Sequence, residues 1–273
     1  MSGSLTYVYC LVRSARSPSL RGIPAGMPGG RDIRVLPVPG SSRGTRVATT
    51  WREWLIVSTV PEGSYGEGAL EAGLQQLEWV APRALAHEAV VEHFLSAPAV
   101  LPMQLFTLFT GDQRAIEHVV RDRRRVARIL KRIENQVEWG LRLSWSPEAL
   151  VAESGRRGAS AGSSVKRAAP KSGSDYLLGK RDQRDLAQVQ LKQARMQANR
   201  IYKAVSREAT EARRRTETEQ AAPVSRLLLD AAFLVPARRT TAFRTLVGRH
   251  ARTLDGAGLT LSLTGPWPAY NFI

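Results

Sequence analysis

Apolar residues in this chain fall into short runs of period two and longer runs of period three to four, and the two kinds alternate. Residues 5–12 (LTYVYCLV) are β-branched and aromatic and predict a strand. Residues 14–30 crowd Pro, Gly, Ser and Arg and predict a loop. Residues 32–38 and 54–60 predict two more strands around a turn-rich stretch at 39–46. Residues 68–79 and 82–95 predict helices, with Pro82 at a first helical position, where its missing N–H has no partner to lose. Residues 100–109 predict extended chain.

The clearest helical pattern covers 112–136. Ile116, Val119, Val120, Val126, Ala127, Leu130 and Ile133 recur on one face, and Asp112 is placed to cap the start. Residues 137–145 alternate as a strand. Residues 153–174 are mostly Gly, Ser, Ala, Lys and Arg, with Val165 the one large apolar residue, and predict a flexible basic linker outside the fold. Residues 176–215 are rich in Ala, Gln, Arg, Lys and Glu and predict a helical segment. As one helix it would run about 60 Å, too long for a compact domain, so it should project, bend or fold back. A strand at 227–235, a helix at 240–254 closed by Gly256 and Gly258, and a strand at 259–263 complete the pattern. The class is α+β. The second half loosely follows the strand and helix order of a ferredoxin-like unit, while the topology of the first half stays open.

Composition changes this picture in one respect. The 273 residues suit one large or two smaller domains, and 43% hydrophobic with 23% charged residues is ordinary globular usage. The formal net charge of +16 is not ordinary. It attracts nucleic acid, anionic lipid or an acidic protein surface without choosing between them. A single cysteine, Cys10, excludes a disulfide framework or thiolate cluster within the chain and fits a reducing cytoplasm. No signal-peptide pattern opens the sequence. The most apolar stretch, 84–105, is broken by His87, Glu88, Glu92, His93, Pro98 and Pro102, so no membrane span is expected.

Catalytic chemistry finds little support. There is no phosphate-cradling loop, and Gly66-Glu67-Gly68 lacks the third glycine of a dinucleotide fingerprint because Glu71 stands there. No Gly-x-Ser-x-Gly elbow occurs. His87 and His93 do not share a helix face; Glu88 and Glu92 do, and read as a solvated face rather than a metal site. His118 and His250 are isolated, and Cys10 reads as a small hydrophobe within a strand. The expectation is a protein without catalytic residues, cofactor or metal.

Two segments stand out as partner-contact candidates. Arg121, Arg124, Arg125, Arg128, Lys131 and Arg132 form a stripe opposite the apolar face of the 112–136 helix, fit for an acidic partner. The stripe lacks interleaved aromatics and no nucleic-acid-binding motif accompanies it, so specific nucleic-acid recognition is not expected. Arg123 falls amid the apolar stripe and needs a carboxylate, a carbonyl or a place at the edge of the core. The second segment is the tail, LTGPWPAYNFI over 263–273. Its prolines lower the entropy cost of fixing it, and Trp267, Tyr270 and Phe272 supply docking area. Docking onto its own sheet is expected for Trp267, with Tyr270 and Phe272 left open to a partner.

That tail resembles the ending of the gas vesicle protein F/L family (GvpF/GvpL), Leu-Thr-Gly-Pro-Trp-Pro-x-Tyr-Asn-Phe. Other pieces follow in order: Tyr7-Val8-Tyr9-Cys10-Leu11-Val12, Trp79-Val80 with His87 and Val90-Val91, Val100-Leu101-Pro102-Met103 with Thr107-Leu108-Phe109, Glu138-Trp139-Gly140-Leu141, Asp175-Tyr176-Leu177 with Lys180, and Ala231-Ala232-Phe233-Leu234-Val235 with Phe243. One departure is Gln104-Leu105-Phe106, where many members carry Arg-Phe-Gly before the threonine, so no role is carried over there.

The resemblance implies two domains, a mixed α+β one over 1–110 and a modified ferredoxin-like one over 111–273 with the linker inside it. It implies a non-enzymatic accessory or minor structural protein of gas vesicle assembly, in a chaperone, nucleation or capping role. The implied partners are the hydrophobic shell subunit and other accessory proteins, and the implied location is the gas vesicle within the cytoplasm. A basic nucleic-acid-binding module is the alternative. F or L type and oligomeric state stay open.

Overall fold

The computed structural model describes residues 3–40, 51–146, 173–215, 226–254 and 257–273. The expected linker at 153–174 lies outside the described residues except for Gly173 and Ser174, which open a helix. The chain forms two compact units: Met1–Glu138 with Pro266–Ile273, and Trp139–Gly265.

Strand β1 (Ser4–Ser14) is the hub of the first unit. Seven successive residues from Thr6 to Val12 are buried, so this strand is covered on both faces and reads as a continuous apolar run. It pairs antiparallel with β3 (Arg52–Pro61) on one side and with β4 (Ala99–Pro102) and β5 (Leu108–Phe109) on the other. β2 (Arg31–Pro37) lies outside β3, giving the order β2-β3-β1-β4. A bulge between Val8 and Cys10 breaks the β1–β3 register. Arg13 opposes Glu53 across the same pair, and their side chains bond at 2.8 Å.

Three helices follow β3: α1 (Glu62–Tyr65), α2 (Glu67–Gly73) and α3 (Leu77–His93). Pro82 lies inside α3 instead of opening it. It forgoes the bond to the Glu78 carbonyl and crowds that carbonyl with its ring, a cost borne within the helix. Gly73 ends α2 against the Trp79 indole, where a Cβ would stand 2.5 Å from the ring.

The predicted helix at 112–136 is two helices, α4 (Asp112–Arg121) and α5 (Arg123–Arg132), broken at Asp122 (φ −94°, ψ 17°). Asp122 is exposed and its carbonyl accepts the first amides of α5. Buried Ala115, Val119, Val126, Leu130 and Ile133 carry the inner face, while Val120 faces outward. Asp112 occupies the first helical position and makes no cap bond. Its carboxylate instead accepts from Thr6 Oγ1 (2.8 Å) and Arg34 Nε (2.9 Å), tying β1 and β2 to α4. The Arg34 guanidinium beside Asp112 holds its carboxyl below the usual range. Because α4 and α5 pack on β1, β5 and β4, the first unit runs to residue 138, and the division expected at 110 moves accordingly.

The chain enters the second unit within β6 (Gln136–Trp145). There follow α6 (Gly173–Ser206), β7 (Glu211–Arg214), β8 (Arg226–Pro236), α7 (Thr240–Arg252) and β9 (Leu259–Trp267). The sheet order is β7-β8-β6-β9, the β-α-β-β-α-β arrangement of a ferredoxin-like unit. The predicted helix to residue 215 stops at Ser206, and Glu211–Arg214 pairs antiparallel with β8. Ala194, Ala198, Ile201 and Val205 bury one face of α6, whereas its residues 184–189 are all exposed, so the helix outruns its packing. Trp139, Phe233, Phe243 and Tyr202 interlock at ring separations of 5.7–6.2 Å. No helix of the described residues is long and apolar enough to cross a membrane.

Candidate functional site

The tail is the best-defined feature singled out by sequence, and it turns inward. Phe272 is fully buried in the first unit, on a short 3-10 turn over Tyr270–Phe272. The Glu138 carboxylate, itself buried, accepts the Asn271 backbone N–H at 2.8 Å and the Asn271 side-chain amide. A carboxylate in a buried strand needs charge-assisted donors, and the tail supplies two. Burial pushes the Tyr270 hydroxyl up, and the nearby Glu88, Glu92 and Glu138 carboxylates push it the same way. Trp267 ends β9 and is only half-buried. The sequence places Trp267 on the protein's own sheet and leaves Phe272 open to a partner; the structure buries Phe272 more deeply than Trp267. Full burial removes Phe272 as a contact, because it offers no surface.

The basic stripe does face outward. Arg121, Arg124, Arg125, Arg128 and Lys131 are exposed and Arg132 is half-buried. Arg128 Nε donates to the Arg124 carbonyl at 3.4 Å. Arg123 is half-buried and donates to the Pro39 carbonyl, the kind of partner its place in the apolar stripe demanded.

Beneath α3 lies a polar cluster in an aromatic cage. Tyr7 Oη and His87 Nδ1 share a hydrogen bond of 2.7 Å, and Phe106 N–H donates to Tyr7 Oη at 3.3 Å. Tyr9 Oη meets Ser58 Oγ at 3.0 Å and accepts Met27 N–H at 2.8 Å. Burial lowers the His87 pKa to about 4 and raises both tyrosines. His87 is thus a core residue, not part of a solvated face, and Glu88 and Glu92 beside it are half-buried. Burial and the Glu88 charge raise the Glu92 carboxyl. Neutral His87 with two protonated tyrosines is a hydrogen-bonded core. No group of three metal-ligating side chains occurs among the described residues. Cys10 is buried beside the cluster, and burial pushes its thiol up.

Sequence reasoning did not single out Glu138 as the residue that holds the tail. The signal was available: an acid within the otherwise apolar run Val137-Glu138-Trp139-Gly140-Leu141.

A family model described as gas vesicle synthesis protein GvpL/GvpF matches residues 5–273. The chain belongs to the GvpL/GvpF family. A relative named gas vesicle protein L, from Streptomyces sp. (strain CB03234), is 30% identical over 222 residues, covering 80% of this chain and 78% of the relative. Two crystal structures share the fold of this GvpL/GvpF chain. GvpF from Anabaena sp. PCC7120 aligns at TM-score 0.60 and 12% identity, over 99% of this chain and 96% of that one. GvpF from Microcystis aeruginosa aligns at TM-score 0.60 and 13% identity, over 98% of each. Membership of the GvpL/GvpF family implies a part in gas vesicle assembly.

Proposed function

We propose that this GvpL/GvpF chain is a non-enzymatic assembly factor that holds the hydrophobic shell subunit before it polymerises. The observation that carries the reading is uncovered apolar surface on the first unit. Leu77 is 80% exposed, Leu85 67% and Leu74 54%, at the α2–α3 turn and two turns along α3. Three large leucines left in water on this segment offer apolar area to a partner. A shell subunit that buries its apolar face only in the polymer aggregates unless such a surface receives it first. The basic face of α4–α5 adds an electrostatic contact to acidic groups of a partner, which steers encounter more than it adds affinity.

The test is capture of the shell subunit by the purified chain. Leu77→Asp with Leu85→Asp should abolish capture with the melting temperature unchanged. Arg124→Glu, Arg128→Glu and Lys131→Glu together should slow it and remove its salt dependence. Capture indifferent to both sets would sink the reading. If instead the triple reversal only removes weak, salt-steep DNA binding, the basic face is a nucleic-acid surface.

A further inference from the structure

The two edges of the second sheet are built differently. β7 is four residues long, and three of them, Glu211, Arg213 and Arg214, are charged. That is how proteins keep an edge from pairing with a stranger. β2, an edge of the first sheet, carries Arg31, Asp32 and Arg34 with a register break, and β4 stops after four residues at Pro102. β9 has no such guard. It is nine residues long, uncharged, and built of Leu, Thr and Ser up to Gly265, with β6 its one neighbour among the described residues. None of its residues is fully buried.

Its pairable length is sharply bounded. Gly258 (φ +63°) turns the chain in before Leu259. Gly265 (φ +123°) and Pro266, which has no N–H to give, interrupt its free edge two residues before the strand ends at Trp267. The stretch 259–265, LTLSLTG, is nearly the same read in either direction, with Ser262 at its centre. An antiparallel partner of the same sequence, centred on Ser262, sets Leu261 opposite Leu263 and Thr260 opposite Thr264, with Ser262 opposite itself. Leu–Leu then falls on one face and Thr–Thr and Ser–Ser on the other, pairs that stabilise a sheet.

We infer that β9 pairs with β9 of a second copy of this chain, about a two-fold axis at Ser262, joining the two second-unit sheets. The contact is self-complementary, as a two-fold interface must be. It is also uncharged within a chain of formal charge +16, so the whole-molecule repulsion opposes it. Association therefore strengthens as salt rises, because the screening length falls from about 30 Å at 0.01 M to about 10 Å at 0.1 M. Binding driven by the basic charge would show the opposite sign.

Sedimentation of the full chain tests this, with a cysteine scan to fix the register. Opposed residues of an antiparallel pair lie about 4.5–5.5 Å apart between Cα atoms, within reach of a disulfide. Ser262→Cys alone should cross-link under mild oxidation, since native Cys10 is buried. Thr260→Cys alone should not, but mixed with Thr264→Cys it should. Ser262→Lys sets like charges face to face and should weaken association about tenfold, with the monomer's melting temperature unchanged. Four results would each overturn the proposal: a monomer at every salt, a dimer untouched by Ser262→Lys, efficient cross-linking of Thr260→Cys alone, or a β9 that pairs only with a strand of another protein.

Discussion

The C-terminal tail and the basic helices α4 and α5 both stood out by side-chain type, and the structure uses them in opposite senses. The tail is spent on the interior: Phe272 fills the first unit and Asn271 closes on Glu138. The basic stripe is turned to solvent, with five of its six cations exposed. Rigid, aromatic, proline-flanked sequence reports a docked segment without saying on what. Charge on the outer face of an amphipathic helix reports exposure and leaves the partner to be found.

The largest test of this contrast is Phe272→Ala, expected to cost about 3–5 kcal/mol in chemical denaturation, the usual range for an emptied aromatic site. A loss below about 1 kcal/mol would make the tail a surface strap and collapse the distinction. Next comes the core that receives the tail. His87 has a folded pKa of about 4, below the ordinary 6.5 of a free histidine. Between these values the unfolded chain binds the proton and the folded chain does not. Stability is therefore full above pH 6.5 and falls toward pH 4, by roughly 3 kcal/mol from this group. Denaturation midpoints across that window should slope downward, and His87→Phe should flatten the slope. Asn271→Ala should cost about 1.5–3 kcal/mol, the range for hydrogen bonds to a charged acceptor. The smallest effect belongs to the other half of the comparison. Arg124→Glu, Arg128→Glu and Lys131→Glu together should leave stability within about 1 kcal/mol, as exposed charges do. A larger change would mean that the stripe packs.

The strands that read most clearly, β1, β3, β6 and β8, are those whose apolar residues meet neighbours on the sheet faces, so their sequence carries its own burial. β7 was not legible, because Glu-Ala-Arg-Arg suits a helix and only pairing with β8 makes it a strand. The break at Asp122 was hidden for a similar reason: the apolar spacing continues across it. Pro82 misled in the other direction, marking a start where a helix was already running. In the tail, sequence found the docked segment but left Phe272 open between interior and partner, and the structure puts it inside. The deciding residue, Glu138, lies far away in sequence and shows its role only once strand and tail meet.

The tail also sets a clock. The first unit draws on residues 1–138 and on 266–273, so a ribosome delivers most of that unit early and its last piece late. At about 5–20 residues per second, residues 139–265 take on the order of ten seconds to make. For that interval Glu138 waits without the Asn271 amides and the Phe272 site stands open. The fold of the first unit is completed after the second has been translated, and a chain cut short anywhere in the second leaves the first without its closing residues.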